Sequence, residues 1–256
     1  MRHTSQTSSR LPRKRGTRVE EVAGRLRVLI ASRNPQKDES LPSEPELSRR
    51  FAASRATVRQ ALTLLEAEGV IIRRRGLGTF VNPLALNMTT RLEEVWDYRE
   101  MIRVSGYAPS SEFVGMSLAP ASSKVAEKLG LAPGSEVLTT TDVFLANGIP
   151  VICCADAIPA GLVRHAYVEK DLKGSIYSFL ESRCGQHVDY NIAEVIPTVA
   201  EKRISTLLNC RRGSPLLYLE EVGFNTLSQP VVFSEEYYRP EFFSFRVLRK
   251  KTSVVR

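Results

Sequence analysis

The stretch from residue 41 to residue 81 constrains the fold of this chain more than any other part of the sequence. Ser43 and Glu46 have the spacing of a helical capping box, and Pro45 lies at the helix start, where a missing N–H costs nothing. Ser54 is placed to cap a second helix a few residues later. The stretch therefore predicts two short helices that are separated by a tight turn.

The second of these helices has one apolar side and one basic side. Its apolar residues recur at helical spacing, as Val58, Ala61, Leu62 and Leu65. The opposite face carries no acid and consists of Arg55, Ala56, Arg59, Gln60 and Thr63. Gly69 is a helix stop, and two strand-like segments, 70–74 and 79–81, follow around Gly76 and Gly78. With a further helical stripe at 19–30, these segments predict a three-helix unit with a basic β-hairpin, or wing, over residues 17–83.

The positive charge of the chain is confined to this unit and the residues before it. Residues 1–83 hold 17 Lys and Arg against 8 Asp and Glu, whereas residues 84–256 hold 19 against 20. A localised basic surface is what binding to nucleic acid phosphates requires. A solvated basic helix with an accidental turn is the alternative. The coincidence of caps, acid-free face and basic wing favours a helix-turn-helix that reads duplex DNA, and the lack of exposed aromatic residues there disfavours RNA.

The segments LPSEPEL, SRATVRQAL, LEAEGVI and RRGLGTFV resemble the winged helix-turn-helix of the GntR family of bacterial transcription regulators. The resemblance implies that polar residues of the reading helix contact bases and phosphates and that the wing glycine enters the minor groove. One departure is Pro45, where many members have a base-contacting Arg; either that contact is lost or specificity shifts to Arg55 and the wing. The predicted DNA-binding residues are Ser43, Ser54, Arg55, Thr57, Arg59, Gln60, Arg74, Arg75 and Gly76.

A chain of 256 residues is long enough for two domains. We predict a disordered basic arm at 1–16, the winged helix-turn-helix at 17–83, a linker at 84–91 and a second domain at 92–250. The arm could add nonspecific DNA affinity through residues 13–15 or could be a solvated tail. Without an apolar span or a signal peptide, a cytoplasmic, nucleoid-associated protein that does not bind membranes is expected. The four cysteines lack metal-ligand spacing, so we predict reduced thiols, no metal and no cofactor.

The second domain is predicted to be α+β with an antiparallel sheet of about six strands. Short β-branched or aromatic segments, bounded by Gly, Pro or Asn, lie at 113–118, 137–145, 151–158, 188–197, 216–225 and 231–238. Asn147-Gly148 and the residues before Pro230 are hairpin signals. Helices are predicted at 92–104, 122–129, 175–184 and 199–208.

The strings LGLAPGS at 129–135, ANGIP at 146–150, GSIY at 174–177, GSPLL at 213–217 and QPVVFS at 229–234 resemble the UTRA domain of HutC-type GntR regulators. That resemblance implies the chorismate-lyase fold, a small-molecule effector bound on the sheet, a homodimer, and a double-stranded operator that is an inverted repeat. The expected function is a ligand-modulated, sequence-specific transcription regulator, expected to be a repressor. The alternative is a lyase-like enzyme or a ligand-binding domain tethered to DNA. No catalytic residues are predicted, because His165 and His187 stand alone.

The effector residues are predicted from a second departure. Many phosphosugar-sensing members have an Arg-x-Arg pair before the hairpin, and the matching positions here are Asp142 and Phe144. The predicted ligand is therefore not a sugar phosphate, and it has a cationic or hydrogen-bond-donating group with an apolar part on Phe144. The alternative is that Asp142 pairs with a basic residue and Phe144 is ordinary core. The complete predicted effector set is Asp142, Phe144, Asp156, Tyr177, Glu194, Ser234 and Tyr238.

Overall fold

The computed structural model describes residues 17–32, 40–82 and 90–249, apart from residues 94 and 96. The predicted arm at 1–16 and most of the predicted linker at 84–91 lie outside the described residues. The chain divides into two compact units, one formed by the described residues up to 82 with 246–249, the other by residues 90–245. Among the described residues no helix is long and apolar enough to cross a bilayer.

The first unit is a three-helix bundle with a two-stranded wing. It contains α1 (Arg18–Ser32), α2 (Glu44–Phe51), α3 (Arg55–Ala67), β1 (Ile71–Arg74) and β2 (Gly78–Val81), with the two strands antiparallel. Every predicted element of this unit is present, with strand ends that differ by one residue. The predicted apolar stripes of α1 and α3 both lie in one core, whose fully buried members include Val22, Leu26, Ile30, Val58 and Leu65.

Local hydrogen bonds set the start of α2 and of α3. The Glu46 carboxylate accepts hydrogen bonds from the Ser43 backbone N–H (2.8 Å) and hydroxyl (2.7 Å). The Ser54 hydroxyl oxygen accepts one from the Thr57 N–H (3.1 Å). Between the helices, Ala52 adopts a left-handed backbone conformation (φ 48°), which reverses the chain. The two predicted caps therefore fix where α2 and the reading helix α3 begin.

The second unit is a six-stranded antiparallel sheet with short helices on both faces. Along the chain it contains α4 (Tyr98–Val104), β3 (Pro109–Pro120), α5 (Ser123–Leu129), β4 (Glu136–Ala146), β5 (Ile149–Pro159), α6 (Glu169–Leu172), α7 (Ile176–Phe179, continued by a π turn at Leu180–Cys184), β6 (Val188–Val199), α8 (Lys202–Leu207), β7 (Pro215–Asn225) and β8 (Pro230–Tyr238). The strand order is β3-β4-β5-β8-β7-β6, so β3 and β6 are the edges. All six predicted strands and the α+β class are confirmed.

Two of the four predicted helices of this unit are shorter than the sequence patterns indicated. The helix predicted at 92–104 begins only at Tyr98, because the Asp97 carboxylate caps it by accepting the Glu100 N–H (3.1 Å). The helix predicted at 199–208 starts at Lys202, since Val199 still belongs to β6. Helix α6 was not predicted.

The two faces of the sheet pack against different helices. On one face, α4 and the aromatic residues at 242–245 cover one end, and α6 and α7 cover the other. The opposite face packs against α5 and α8. Between the two covers of the first face lies a polar region, which contains most of the predicted effector residues.

Candidate functional site

Helix α3 presents its basic side to solvent. Arg55, Arg59 and Gln60 are exposed, and Thr57 is half-buried. An acid reaches this side from the neighbouring helix, because Glu44 of α2 forms an ion pair with Arg59 (Nη2–Oε2 2.9 Å). The hydrogen bond from Arg59 holds the pKa of the Glu44 carboxyl below its ordinary value. The basic face of α3 thus contains no acid from α3 itself. Glu44 of α2 holds Arg59 in place through the ion pair.

The three arginines of the wing point in different directions, as strand alternation requires. Arg73 turns toward α3, where it donates to the Arg59 carbonyl (3.1 Å) and to the Thr63 hydroxyl (3.2 Å). Arg74 lies over the Phe80 ring, 4.7 Å from its centroid. Arg75 is exposed at the hairpin end. Arg73 is therefore held against the reading helix, whereas Arg75 extends from the wing.

The end of the wing depends on two glycines in the left-handed region. Gly76 has φ 76° and Gly78 has φ 113°, and a Cβ at either position would meet no atom within 4 Å. Between them Leu77 is 70% exposed, a large apolar side chain at the hairpin tip that sequence reasoning missed. The position of Leu77 between two glycines could have indicated from the sequence that it lies at the hairpin tip. Ser43, Ser54 and Gly76 are also exposed, so the nominated DNA-binding residues lie on α3, its cap, the α2 start and the wing.

In the second unit, four neighbouring strands each place one carboxylate on the face that α4 and α7 partly cover. In the strand register, Asp142 of β4 lies opposite Cys154 of β5, and Cys154 lies opposite Glu236 of β8. Asp156 of β5 pairs with Ser234, which pairs with Glu221 of β7. Because alternate residues of a strand share a face, these four carboxylates form a zigzag across the sheet. We call Asp142, Asp156, Glu236 and Glu221 the acidic row.

The two central carboxylates of the acidic row are buried and hydrogen-bonded. Asp156 accepts a hydrogen bond from the Ser234 hydroxyl (2.5 Å) and lies 3.5 Å from the Cys154 sulfur. Glu236 accepts hydrogen bonds from the hydroxyls of Tyr98 (2.6 Å) and Tyr238. Neutral donors thus satisfy these two groups without neutralising their charge.

The two outer carboxylates are half-buried and poorly satisfied. Asp142 has no hydrogen bond or ion pair within the described part of the chain. Glu221 has a long hydrogen bond from the Tyr177 hydroxyl (3.4 Å). Asn191 donates its amide N–H to the same hydroxyl (2.9 Å), while its buried Oδ1 has no hydrogen-bond partner. Unused acceptors therefore concentrate at the two ends of the acidic row.

Burial raises the pKa of every carboxyl in the acidic row. It raises the pKa of Asp142 to about 7, with a further contribution from the charge of Asp156. It raises the pKa of Glu221 to about 8, assisted by Glu236, and that of Glu236 to about 7. The pKa of Asp156 is raised by burial and lowered by its hydrogen bonds, with a net increase.

One cation lies near this cluster. Arg99 opposes the pKa increase of Asp142, but its guanidinium donates to the Ser111 hydroxyl (2.7 Å) and lies 5.7 Å from the Phe144 ring centroid. Within the described residues it forms no ion pair with the acidic row. Among the described residues, no basic side chain forms an ion pair with Asp142, contrary to the alternative.

The structure places two of the predicted effector residues, Glu194 and Phe144, apart from the others. Glu194 lies on the opposite face of the sheet, where it is exposed and pairs with Lys128 of α5 (2.6 Å). Phe144 is 6% exposed and packs under Tyr98, with ring centroids 4.6 Å apart, so it is core, as the alternative held. Strand alternation places Phe144 on the predicted face of the sheet. However, α4 covers the end of that face at which Phe144 lies.

The other predicted residues lie in or beside the acidic row. These residues are Asp142, Asp156, Tyr177, Ser234 and Tyr238. Sequence reasoning missed Glu221, Glu236, Tyr98 and Asn191. Glu236 could have been found, because it is two residues from Ser234 on one strand.

Comparison with known protein families accounts for both units. The family described as "UTRA domain" matches residues 104–244, more than half of the chain, and "Bacterial regulatory proteins, gntR family" matches residues 18–81. The chain belongs to the GntR family and has a UTRA effector domain. This combination is that of HutC-type transcription regulators, so the chain is a DNA-binding regulator and not the lyase of the alternative.

Relatives along nearly the whole chain have the same character. The HTH-type transcriptional repressor NagR of Bacillus subtilis is 28% identical over 225 residues, which are 88% of this chain and 91% of that protein. The probable transcriptional regulator PhnF of Escherichia coli is 26% identical over 90% of this chain and 94% of its own. The crystal structure of the possible regulator YydK from B. subtilis has a TM-score of 0.75 at 20% identity, covering 92% of this chain and all of that one.

The acidic row predicts an unusual pH dependence of stability. Carboxyls with raised pKa values hold protons in the folded state that they release on unfolding, so stability falls as pH rises. This loss of stability spans the pH range from the ordinary pKa values, 3.8 for Asp and 4.5 for Glu, to about 8. We expect the melting temperature of the full chain to decrease from pH 5.5 to pH 8.5 in calorimetry. The double variant Asp142→Asn, Glu221→Gln should flatten this slope, and a wild-type melting temperature that rises across this range would contradict the prediction.

Proposed function

We propose that this chain is a repressor that binds an inverted-repeat operator as a homodimer and whose operator affinity is modulated by a small metabolite in the UTRA domain. The observation on which the proposal rests is the exposed, acid-free face of α3 beside a basic wing, in the part of the chain with a net charge of +9. NagR, a relative of this chain, is named a repressor, which supports repression over activation. Such a protein acts in the cytoplasm, at the nucleoid.

We propose that α3 enters the major groove and the wing enters the adjacent minor groove. Arg55 and Gln60 are exposed on the reading face and have the donors that base edges accept. Arg59 starts from an ion pair with Glu44, so a phosphate or base has to compete with that carboxylate. Contacts to DNA are proposed for Ser43, Ser54, Arg55, Thr57, Arg59, Gln60, Arg74, Arg75 and Gly76.

The edges of the second unit support self-association. The edge strand β3 exposes Val114, Met116 and Leu118, and the other edge, β6, exposes Tyr190, Ile192, Val195 and Val199. Long strand edges with exposed apolar side chains are sites at which a further strand pairs. A homodimer through the second unit would cover such an edge and present two reading helices, which matches an inverted repeat.

Replacing Arg55 with Ala tests base reading. We expect a loss of about 1–3 kcal/mol of affinity for a duplex selected from a randomised pool, and a smaller loss on random DNA, because a bidentate contact to guanine discriminates between bases. Fluorescence anisotropy on both duplexes measures this. Arg27→Ala is the matched control, since Arg27 lies on α1 of the same unit and pairs with Glu68 at the end of α3. Equal losses of affinity on both duplexes would show that Arg55 contacts phosphate and not bases. No loss would show that α3 does not bind in the major groove.

Replacing Gly76 with Val tests the wing. A β-branched residue at φ 76° is strained and blocks close approach of the backbone, but nothing lies within 4 Å of its Cβ. We expect weaker DNA binding with a cooperative melt that is retained. Gly213→Val is the control, because Gly213 has φ 84° and equally open space in the second unit. A Gly76→Val chain that no longer melts cooperatively would show that the glycine serves only the fold.

Sedimentation equilibrium tests the dimer. We expect twice the chain mass of 28.6 kDa at micromolar concentration, and half-sites about one helical turn, ~34 Å, apart. Charge at an apolar edge disfavours its burial, so Met116→Glu on β3 or Ile192→Glu on β6 should dissociate the dimer. A wild-type monomer with unchanged affinity for a lone half-site would refute the proposal.

A further inference from the structure

Arg73 of the wing is attached to α3 at three points. Its Nη2 donates a hydrogen bond to the Arg59 carbonyl (3.1 Å) and another to the Thr63 hydroxyl (3.2 Å), and its Nε lies 3.4 Å from the Glu66 carboxylate. The three partners are spaced by four and by three residues, so they follow one another along a single side of the helix. One guanidinium on β1 therefore spans about two turns of the reading helix.

The side chain of Arg73 is directed into its own fold and not toward solvent. It is 31% exposed, whereas Arg55 of α3 and Arg75 of the wing are exposed. The Thr63 hydroxyl also donates to the Arg59 carbonyl (2.9 Å), so Arg73 completes a hydrogen-bond network on the helix. A guanidinium has N–H donors in a fixed planar arrangement, so several contacts at once hold its orientation. Arg73 thus differs in its role from the other two arginines.

The wing has a buried base and an exposed outer part, and Arg73 lies between them. Ile71 and Val81 face each other at the base and are buried in the core of the unit. Ile72 and Leu77 are exposed. Arg73 follows Ile71 as the next residue on the inner side of β1, because alternate residues of a strand share a side. A two-stranded hairpin is marginally stable by itself in water, so the outer part of the wing gains order from this attachment to α3.

We propose that Arg73 is a positioning residue for operator recognition, which fixes the wing against α3 so that both enter their grooves as one preformed surface. The proposal rests on the proposed function, in which α3 lies in the major groove and the wing lies in the minor groove. A wing that is held before binding loses less conformational entropy on contact with DNA, so its contacts contribute more to affinity. A fixed wing also favours duplexes whose groove geometry matches the spacing of the two contacts.

Footprinting of the selected duplex tests the proposal, because two reagents report on the two grooves separately. Hydroxyl radicals cleave the deoxyribose from the minor groove, and dimethyl sulfate methylates guanine N7 in the major groove. We expect the wild-type chain to protect the duplex from both reagents. Arg73→Met removes the donors and keeps a long side chain. At saturating protein it should lose the hydroxyl-radical protection and retain the N7 protection, and its affinity should fall at least about tenfold.

A double-mutant cycle distinguishes positioning from a direct contact of Arg73 with phosphate. If Arg73 holds the wing, Arg75→Ala should cost at least about threefold less affinity in the Arg73→Met background than in the wild type. Independent phosphate contacts would give equal effects of Arg75→Ala in both backgrounds. Arg55→Ala, at the start of α3, is the comparison, and its effect should be the same in both.

Arg25→Met is the matched control, because it removes the same group from the same unit at a different place. Arg25 joins α1 to α2 by donating to the Phe51 carbonyl (3.2 Å), and it lies 4.9 Å from the centroid of that ring. We expect both protections to remain in this variant. Thermal unfolding establishes that each variant melts cooperatively. If Arg73→Met does not, Arg73→Lys decides, since lysine keeps the charge without the planar donors and should lose part of the hydroxyl-radical protection.

Three outcomes would overturn the inference. These are hydroxyl-radical protection at wild-type strength in both Arg73 variants, a parallel loss of both protections in a cooperatively melting variant, or additive effects of Arg73→Met and Arg75→Ala. The wild-type footprint separates this inference from the proposed function. A wild-type chain that protects neither groove refutes the proposed placement of α3 and the wing. A wild-type chain that protects both, with the same pattern in both Arg73 variants, refutes the positioning role alone.

Discussion

The burial of four carboxylates on one sheet face is the constraint on which the second unit depends. Ionised carboxylates in a low dielectric cost far more than any single contact returns, so the surroundings must satisfy them or neutralise them. The structure supplies hydroxyls from Ser234, Tyr98 and Tyr238 at the centre of the row. It supplies almost nothing at the two ends. At the two ends, burial instead raises the pKa values of Asp142 and Glu221, which reduces their charge near neutral pH.

The two units place opposite charge in opposite environments. The first holds its charge on the surface, where Arg55 and Arg75 remain hydrated until DNA phosphates replace water and counterions. The second holds its acids inside the fold, where desolvation makes every interaction stronger and more specific. A basic exterior suits a polyanion that binds from solution, whereas burial raises the pKa values of the interior carboxyls.

The fold was largely predictable, because its local signals agree with its packing. The Ser54 cap, the apolar stripe of α3 and the Asn147-Gly148 hairpin each act over a few residues, and tertiary structure kept all three. The helix at 98–104 was predicted too long, since a local cap at Asp97 outweighed a plausible helical pattern.

The site was only partly predictable, because it depends on how the strands pair and on which parts of the sheet the helices cover. Glu220 and Glu221 are adjacent on β7 and face opposite sides of the sheet, and which side each one faces depends on the tertiary packing of the helices. Glu220 joins Lys124 and Lys128 outside, whereas Glu221 joins the acidic row. Phe144 was placed on the correct face, but whether α4 would cover it depends on tertiary packing.

Site-resolved titration of the carboxyl carbons by NMR tests the central claim most directly, because it observes the acidic row itself. The account predicts that Asp142 and Glu221 in the free chain titrate near 7 and 8, well above their ordinary values of 3.8 and 4.5. Ordinary pKa values for all four carboxyls in the free chain would contradict it.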